Sequence, residues 1–154
     1  MSEEEDEIRE AIAAVRAGEA TLTHVLCLAN ASLLPQEVED AIDAKFAMDG
    51  DVANGGLDQV AWNQGQDAAR EYAKAFRAVG AIENADVLDR LASALADYES
   101  KHSKEEIGKD PVKHFLAYRK SVSGPEFGIP EPGDELAEVL VEYVIARAGE
   151  IPDQ

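Results

Sequence analysis

Cysteine is nearly absent. Cys27 stands alone among 154 residues, which excludes a disulfide within the chain and fits a reducing, cytoplasmic setting. It lies in Val25-Leu26-Cys27-Leu28-Ala29, a context for a small buried apolar residue rather than a nucleophile. No apolar run approaches the roughly 20 residues that a membrane span needs. The opening Met-Ser-Glu-Glu-Glu-Asp-Glu is the reverse of the basic start and apolar core of a signal peptide. Positive charge is scarce too: 14 Lys and Arg face 32 Asp and Glu, for a net charge of −18. Such a surface repels nucleic acid and anionic membranes and attracts basic proteins. Solubility alone would also account for it.

Catalytic signatures are missing. His24, His102 and His114 are scattered over three segments without an HExxH pair, so no zinc site is assigned. Asn54-Gly55-Gly56 lacks the frame of a phosphate loop, and no G-x-S-x-G elbow occurs. Cys27 and His24 are three apart but lack a third orienting group. Asp49, Asp51, Asn54 and Asp58 approach a calcium loop, yet Ala53 occupies the place of a ligand. No catalytic residue, metal or cofactor is therefore assigned.

Alanine and helical periodicity are abundant instead. The chain suits one domain over residues 1–154, all-α and compact, with six to eight helices. Ser2 caps a helix over 3–17 with Ile8, Ala11, Ile12 and Val15 inward, stopped by Gly18. A second, about 21–32, turns Leu22, Val25, Leu26 and Ala29 inward. Pro35 opens a third, about 35–48, with Val38, Ala41, Ile42, a snorkelling Lys45 and Phe46 toward the core. Met48–Asn54 reads as a polar loop. Helices follow at about 56–64, 66–79 and 83–100. Their inward residues include Ala69, Tyr72, Ala73, Phe76 and Val79, then Val87, Leu88, Leu91, Leu95 and Tyr98. A short helix from Pro111 to Arg119 offers Val112, Phe115, Leu116 and Tyr118 for packing. Residues 121–133, rich in Gly and Pro, read as a loop. Asp134 caps a last helix to Arg147, with Leu136, Val139, Leu140, Tyr143 and Val144 inward.

The organising stretch is Asp51 to Gly65, with the single Trp and the single Gly-Gly pair. Asn54-Gly55-Gly56 is turn chemistry, since these residues tolerate positive φ. Gln59 and Asn63, four apart, share a helix face and are positioned to satisfy loop backbone. Asn54, Gly55, Gly56, Gln59 and Asn63 thus read as a structural motif, and a bulky residue at Gly55 should cost about 1 kcal/mol or more if φ is positive there.

Asn-Gly-Gly-hydrophobe-x-Gln-x-x-x-Asn, with Val79-Gly80-Ala81 further on and a final helix carrying Tyr143, resembles the bacterial DNA-mimic protein family over roughly residues 36–150. Leu57 stands where an aromatic is common in that family. The resemblance implies an all-helical domain and, for at least one member, a decoy that occupies a transcription factor in place of DNA.

Three acidic rows fit that expectation. Glu3-Glu7-Glu10, Glu37-Asp40-Asp43 and Glu135-Glu138-Glu142 recur at i, i+3 or i+4, which sets Cβ atoms about 5–6 Å apart. A DNA reader finds its target through phosphates before bases, so a mimic must hold carboxylates in rows on rigid elements. The N-terminal row is subject to fraying, which leaves Glu37, Asp40, Asp43, Glu135, Glu138 and Glu142 as partner-binding candidates. Their crowding should raise several pKa values and make mild acidification stabilising. The expected protein is a non-enzymatic acidic binder of a basic, DNA-binding protein, with no nucleic-acid or membrane partner; a homodimer is left open. The rivals are an immunity-type inhibitor of a basic toxin and a small-ligand or enzymatic role at the Asn54–Asn63 amides.

Overall fold

The computed structural model of the chain describes residues 2–124 and 132–152. Over these residues the chain is all helix and turn: α1 Glu3–Arg16, α2 Leu22–Asn30, α3 Gln36–Gly55, α4 Leu57–Gln64, α5 Gln66–Ala78, α6 Ile82–Lys101, α7 Lys104–Lys109, α8 Pro111–Ser121 and α9 Pro132–Ala146, with a 3₁₀ turn at Ala148–Glu150. All eight helices expected from the sequence are present, and the six-residue α7 is added to them. The loop expected over 121–133 lies largely outside the described residues.

The first hairpin is built from local signals. Ser2 Oγ accepts the Glu5 N–H at 3.2 Å, while Glu3 to Asp6 sit at the positive end of the α1 dipole. Gly18, at φ 72°, turns the chain, and α2 packs back on α1. Thr21 N–H donates to His24 Nδ1 at 3.0 Å, closing the start of α2. Leu28, fully buried, is the inward residue of α2 that the sequence pattern passed over. The α5–α6 pair forms a second hairpin around Gly80, at φ 92°. Phe76, Leu88, Leu91 and Leu95 are buried along it, each worth about 1.5–3 kcal/mol of apolar transfer. Helix α9 lies against α1, α2 and α6 and joins the two hairpins.

Helix α3 differs most from expectation. It runs through Met48–Asn54, expected as a loop, to Gly55. Weak helix formers there are overruled by tertiary contacts. Met48 is 2% exposed, Lys45 pairs with Asp49 at 3.2 Å, and Asp51 accepts hydrogen bonds from Asn63 and Gln64 of α4. The longer helix also fixes which face is inside. Ala41, Ala44 and Met48 make the seam, and Phe46, expected inward, lies on the side opposite Ala44 and is exposed.

The break after α3 is one residue. Gly56 has φ 98° and ψ −172°, a region essentially reserved for glycine. Asn54 and Gly55 are helical, so the expectation of positive φ at Gly55 is corrected: the left-handed demand falls on Gly56, and again on Gly65 at φ 96°. Beyond the break, Leu57, Val60 and Ala61 are buried as expected. Trp62 meets Tyr118 and Phe115, each with ring centroids at 5.5 Å, and Tyr98 at 6.1 Å.

Helix α8 is rotated relative to its apolar pattern. Tyr118 is fully buried and His114 is buried, whereas Val112 and Leu116, expected to pack, are exposed. The reason is polar. The Tyr118 hydroxyl donates to the Leu91 carbonyl at 3.2 Å, and the Tyr98 hydroxyl lies 2.6 Å from His114 Nδ1. These partners on α6 draw the 114/118 face inward and leave the 112/116 face outside.

The Gly55–Gly56 step can be tested directly. Gly56→Ala should lower stability by about 1–3 kcal/mol, because its Cβ would also approach Asp58 Oδ1 at 3.2 Å. Gly55→Ala should change stability little: its Cβ would displace the Gln59 side chain, whose amide end is free to swing away, and at the last residue of the helix the gain offsets this by up to about 1 kcal/mol of propensity. Urea midpoints of the two variants measure this; equal losses would refute the assignment of the left-handed residue.

Candidate functional site

The six acidic candidates do not share one environment. Asp40 and Asp43 are exposed on α3, as are Glu138 and Glu142 on α9, whereas Glu37 and Glu135 are half-buried. Gln36 Nε2 donates to Asp40 Oδ1 at 2.9 Å and steadies it. Glu37 Oε1 accepts the Tyr143 hydroxyl at 2.5 Å, and the Arg147 guanidinium lies 3.5 Å from the Tyr143 ring centroid. This contact brings the start of the α3 row to the C-terminal half of α9, next to Glu142. Glu135 lies at the other end of α9, facing the Glu83–Asn84 start of α6.

The two half-buried carboxyls titrate in opposite directions. The Tyr143 hydrogen bond, then the Glu37 backbone N–H, hold Glu37 below the usual carboxylate range; Arg147 helps and burial opposes. Burial pushes Glu135 up, against hydrogen bonding from the Asn84 backbone and with help from the Glu83 charge. The sequence-based expectation that crowding raises these values is therefore reversed at Glu37, where a phenol donor outweighs burial. The same hydrogen bond, donated to the Glu37 carboxylate, pushes Tyr143 upward, second to burial.

Beside the α3 row runs a groove of about 570 Å³ between α3 and α5. Glu37, Asp40, Asp43, Glu71 and Lys74 line it, together with Tyr72 and Ala44, Ala47, Ala75 and Ala78. Glu71 was not among the sequence candidates. Its only signal is a polar position on α5, and nothing in the chain order says that α5 flanks α3.

The amide motif is turned inward on itself. Asn63 Nδ2 donates to Asp51 Oδ1 at 2.9 Å. Gln64 Nε2 donates to Asp51 Oδ2 at 2.8 Å and to the Ala47 carbonyl at 3.0 Å, and Gln64 Oε1 accepts the Tyr72 hydroxyl. Gln64, which the sequence reading passed over, is thus the amide that ties α4 to both α3 and α5. Gln59 lies over Gly55. Arg119 reaches across from α8, donating through Nη2 to the Gly55 carbonyl at 2.9 Å and pairing through Nε with Asp58 at 3.1 Å.

The sparse chemistry-bearing residues are similarly occupied. Asp49, Asp51 and Asp58, part of the imperfect calcium pattern, are engaged by Lys45, by Asn63 with Gln64, and by Arg119. His24 Nδ1 accepts the Thr21 N–H. Burial, with the charges of Glu7 and Glu4, raises the Cys27 thiol and disfavours the thiolate. His102 and His114, far apart in sequence, come together with ring centroids at 5.2 Å. Among the described residues, no group of three or more His, Cys, Asp or Glu could hold a metal ion. No helix among them is long and apolar enough to cross a membrane.

The family model described as DMP19-like protein matches residues 32–113, just over half of the chain. The match takes in α3 to α7 and the first turn of α8; α9, with Tyr143, lies beyond it. Neither a curated protein nor a solved structure matches the chain.

The opposed carboxyls give a pH signature. For Glu37 the folded pKa is depressed, so its contribution is present above the unfolded value and lost as pH falls through the folded one. Tyr143→Phe should therefore cost about 1 kcal/mol near pH 7, with the penalty shrinking on acidification below the carboxylate range. For Glu135 the folded pKa is raised, so it destabilises above that value. Glu135→Gln should raise the melting temperature at pH 7 and lose that advantage on acidification. Melting curves of both variants from pH 7 down to about 3 decide; a Glu135→Gln variant less stable than wild type at pH 7 would contradict the burial argument.

Proposed function

This chain belongs to the DMP19-like protein family, a family of DNA mimics, and we propose on that premise that it is a non-enzymatic decoy occupying the nucleic-acid surface of a basic, DNA-binding protein. The observation that carries the reading is the pair of exposed rows, Asp40 and Asp43 on α3 with Glu138 and Glu142 on α9, on helices linked by the Glu37–Tyr143 hydrogen bond. Carboxylates on linked helices keep their separations when a partner arrives, as phosphates on a duplex do. A mobile acidic tail would have to be ordered on binding at a cost in entropy.

Glu37 and Glu135 play a supporting part in this reading, one engaged by Tyr143 and the other drawn toward α6. The contact residues are Asp40, Asp43, Glu138 and Glu142, with Glu71 on the α5 side of the groove. An immunity-type inhibitor of a basic toxin would use the same surface, and the identity of a captured target separates the two. A small-ligand site at the amides is disfavoured because Asn63 and Gln64 spend their donors on Asp51 and Ala47.

Capture from a cell extract with elution by increasing salt should release a DNA-binding protein. Its binding to this chain should exclude DNA. The salt slope should be shallower than the target's own slope for DNA, because fewer charges are matched and no condensed counterion layer is released. Joint reversal of Asp40, Asp43, Glu138 and Glu142 to Lys should abolish binding and leave the far-UV circular dichroism spectrum unchanged. A target that binds this chain and DNA together would end the decoy reading.

A further inference from the structure

Helix α8 shows solvent an amphipathic face. Val112 and Leu116 are 67% and 56% exposed and lie one turn apart. Lys113 and Lys120, both exposed, fall on the same side at helical spacing, and Lys109 precedes them. The opposite side is committed to α6 through His114 and Tyr118. Residues 101–120 hold six of the 14 cations, against three acids, in a chain of net charge −18. This face therefore joins two of the exposed large apolar residues, Val112 and Leu116, to the densest group of cations in the sequence.

The α3–α5 groove is its complement. Alanines from both helices line it beside Tyr72, and their short side chains leave room for an aliphatic residue from outside. Glu37, Asp40, Asp43 and Glu71 line it too, with Lys74 the one opposing charge. Along α3 the lining runs from Glu37 to Ala47, about 15 Å at 1.5 Å per residue. The 11 residues of α8 span about 16 Å. Within one molecule the two cannot meet, because Arg119 ties α8 to Gly55 at the other end of α3.

We propose that the outward face of α8, Val112 and Leu116 flanked by Lys113 and Lys120, docks in the α3–α5 groove of a second copy of this chain. Valine and leucine seat against the alanines, and the lysines reach Asp40, Asp43 and Glu71. Two copies of net charge −18 repel at long range, so the contact needs enough salt to screen that repulsion. At about 0.15 M the screening length is about 8 Å, short enough to suppress the long-range term while the close lysine–carboxylate pairs persist. Association is thus expected to be strongest at intermediate salt. The inference goes beyond the decoy reading but shares Asp40 and Asp43 with it, so a second copy and a basic target would compete for the groove.

Sedimentation velocity on the full chain alone tests this without any partner, so its failure and that of the decoy reading are separable. Between about 0.1 and 0.2 M salt the mass should rise above the 16.6 kDa monomer with protein concentration. Leu116→Asp should weaken association by about tenfold or more with an unchanged melting temperature. Lys113→Glu with Lys120→Glu, and separately Asp40→Lys with Asp43→Lys, should each abolish it. An equimolar mixture of those two double variants should restore it, because each then offers a face that fits the other. A chain that stays monomeric at every concentration and salt overturns the proposal. So does association that survives Asp40→Lys with Asp43→Lys, which would place α8 against some other surface.

Discussion

A single left-handed residue, Gly56, governs how the middle of the chain packs. Residues 36–64 are helical on both sides of it, and without the break they would continue as one rod. The turn at φ 98° lets α4 fold back so that Asn63 and Gln64 reach Asp51 and Ala47 of α3. It also directs Trp62 into the rings of Tyr98, Phe115 and Tyr118. Arg119 then closes the break from outside. Its guanidinium meets an orphan carbonyl at the negative end of α3 and a carboxylate at the positive end of α4. As a half-exposed ion pair it contributes little energy by itself; its larger effect is to fix where α8 sits.

That arrangement explains why the acidic face of α3 is stiff. Val38, Ala41, Ile42 and Met48 are at most 5% exposed, so the helix cannot roll, and Tyr143 holds Glu37 near its start. Fixed carboxylates are costly only locally. A like-charge pair at i, i+3 or i+4 costs a few tenths of a kcal/mol, small against the burial of any one of the large apolar residues beneath it. The charge can therefore be concentrated on one side of a helix without endangering the fold, provided that the other side is well packed.

How much of this was legible in the sequence depends on the range of the interaction. Helices fixed by local chemistry, such as α1 with its Ser2 cap and the α5–α6 hairpin around Gly80, could be read from pattern alone. So could the buried Leu57, Val60 and Ala61 of α4. What failed were positions decided across the chain. The extension of α3 through Gly50 and Asp51 depends on donors from Asn63 and Gln64. The inward turn of His114 depends on a phenol sixteen residues earlier, and without it Val112 and Leu116 were the natural choice for the core. Phe46 followed from the same misjudged length, since ending α3 early hides which seam continues to Met48. At the candidate site, helical spacing placed Asp40 and Asp43 on one face. It could not reveal that Glu71 joins them from α5, that Tyr143 engages Glu37, or that Glu135 is drawn toward α6.

The distribution of charge carries a further physical consequence. If −18 were spread evenly, every face would repel every other copy and attract any basic protein with equal weakness. It is not even: the basic residues of 101–120 collect on one side of the sequence while α1, α3 and α9 carry the acidic rows. Such a polarised molecule has a direction: cations are few beside the acidic rows, Lys74 at the groove and Arg147 beside Tyr143 among them, and much of the field of the rows reaches solvent. Further cations at the rows would shorten that field below the screening length and remove the orienting effect on an approaching partner. Gathering cations around α8 keeps the acidic rows strong. It also gives the molecule a second face of opposite character, at the cost of a surface that its own copies can recognise.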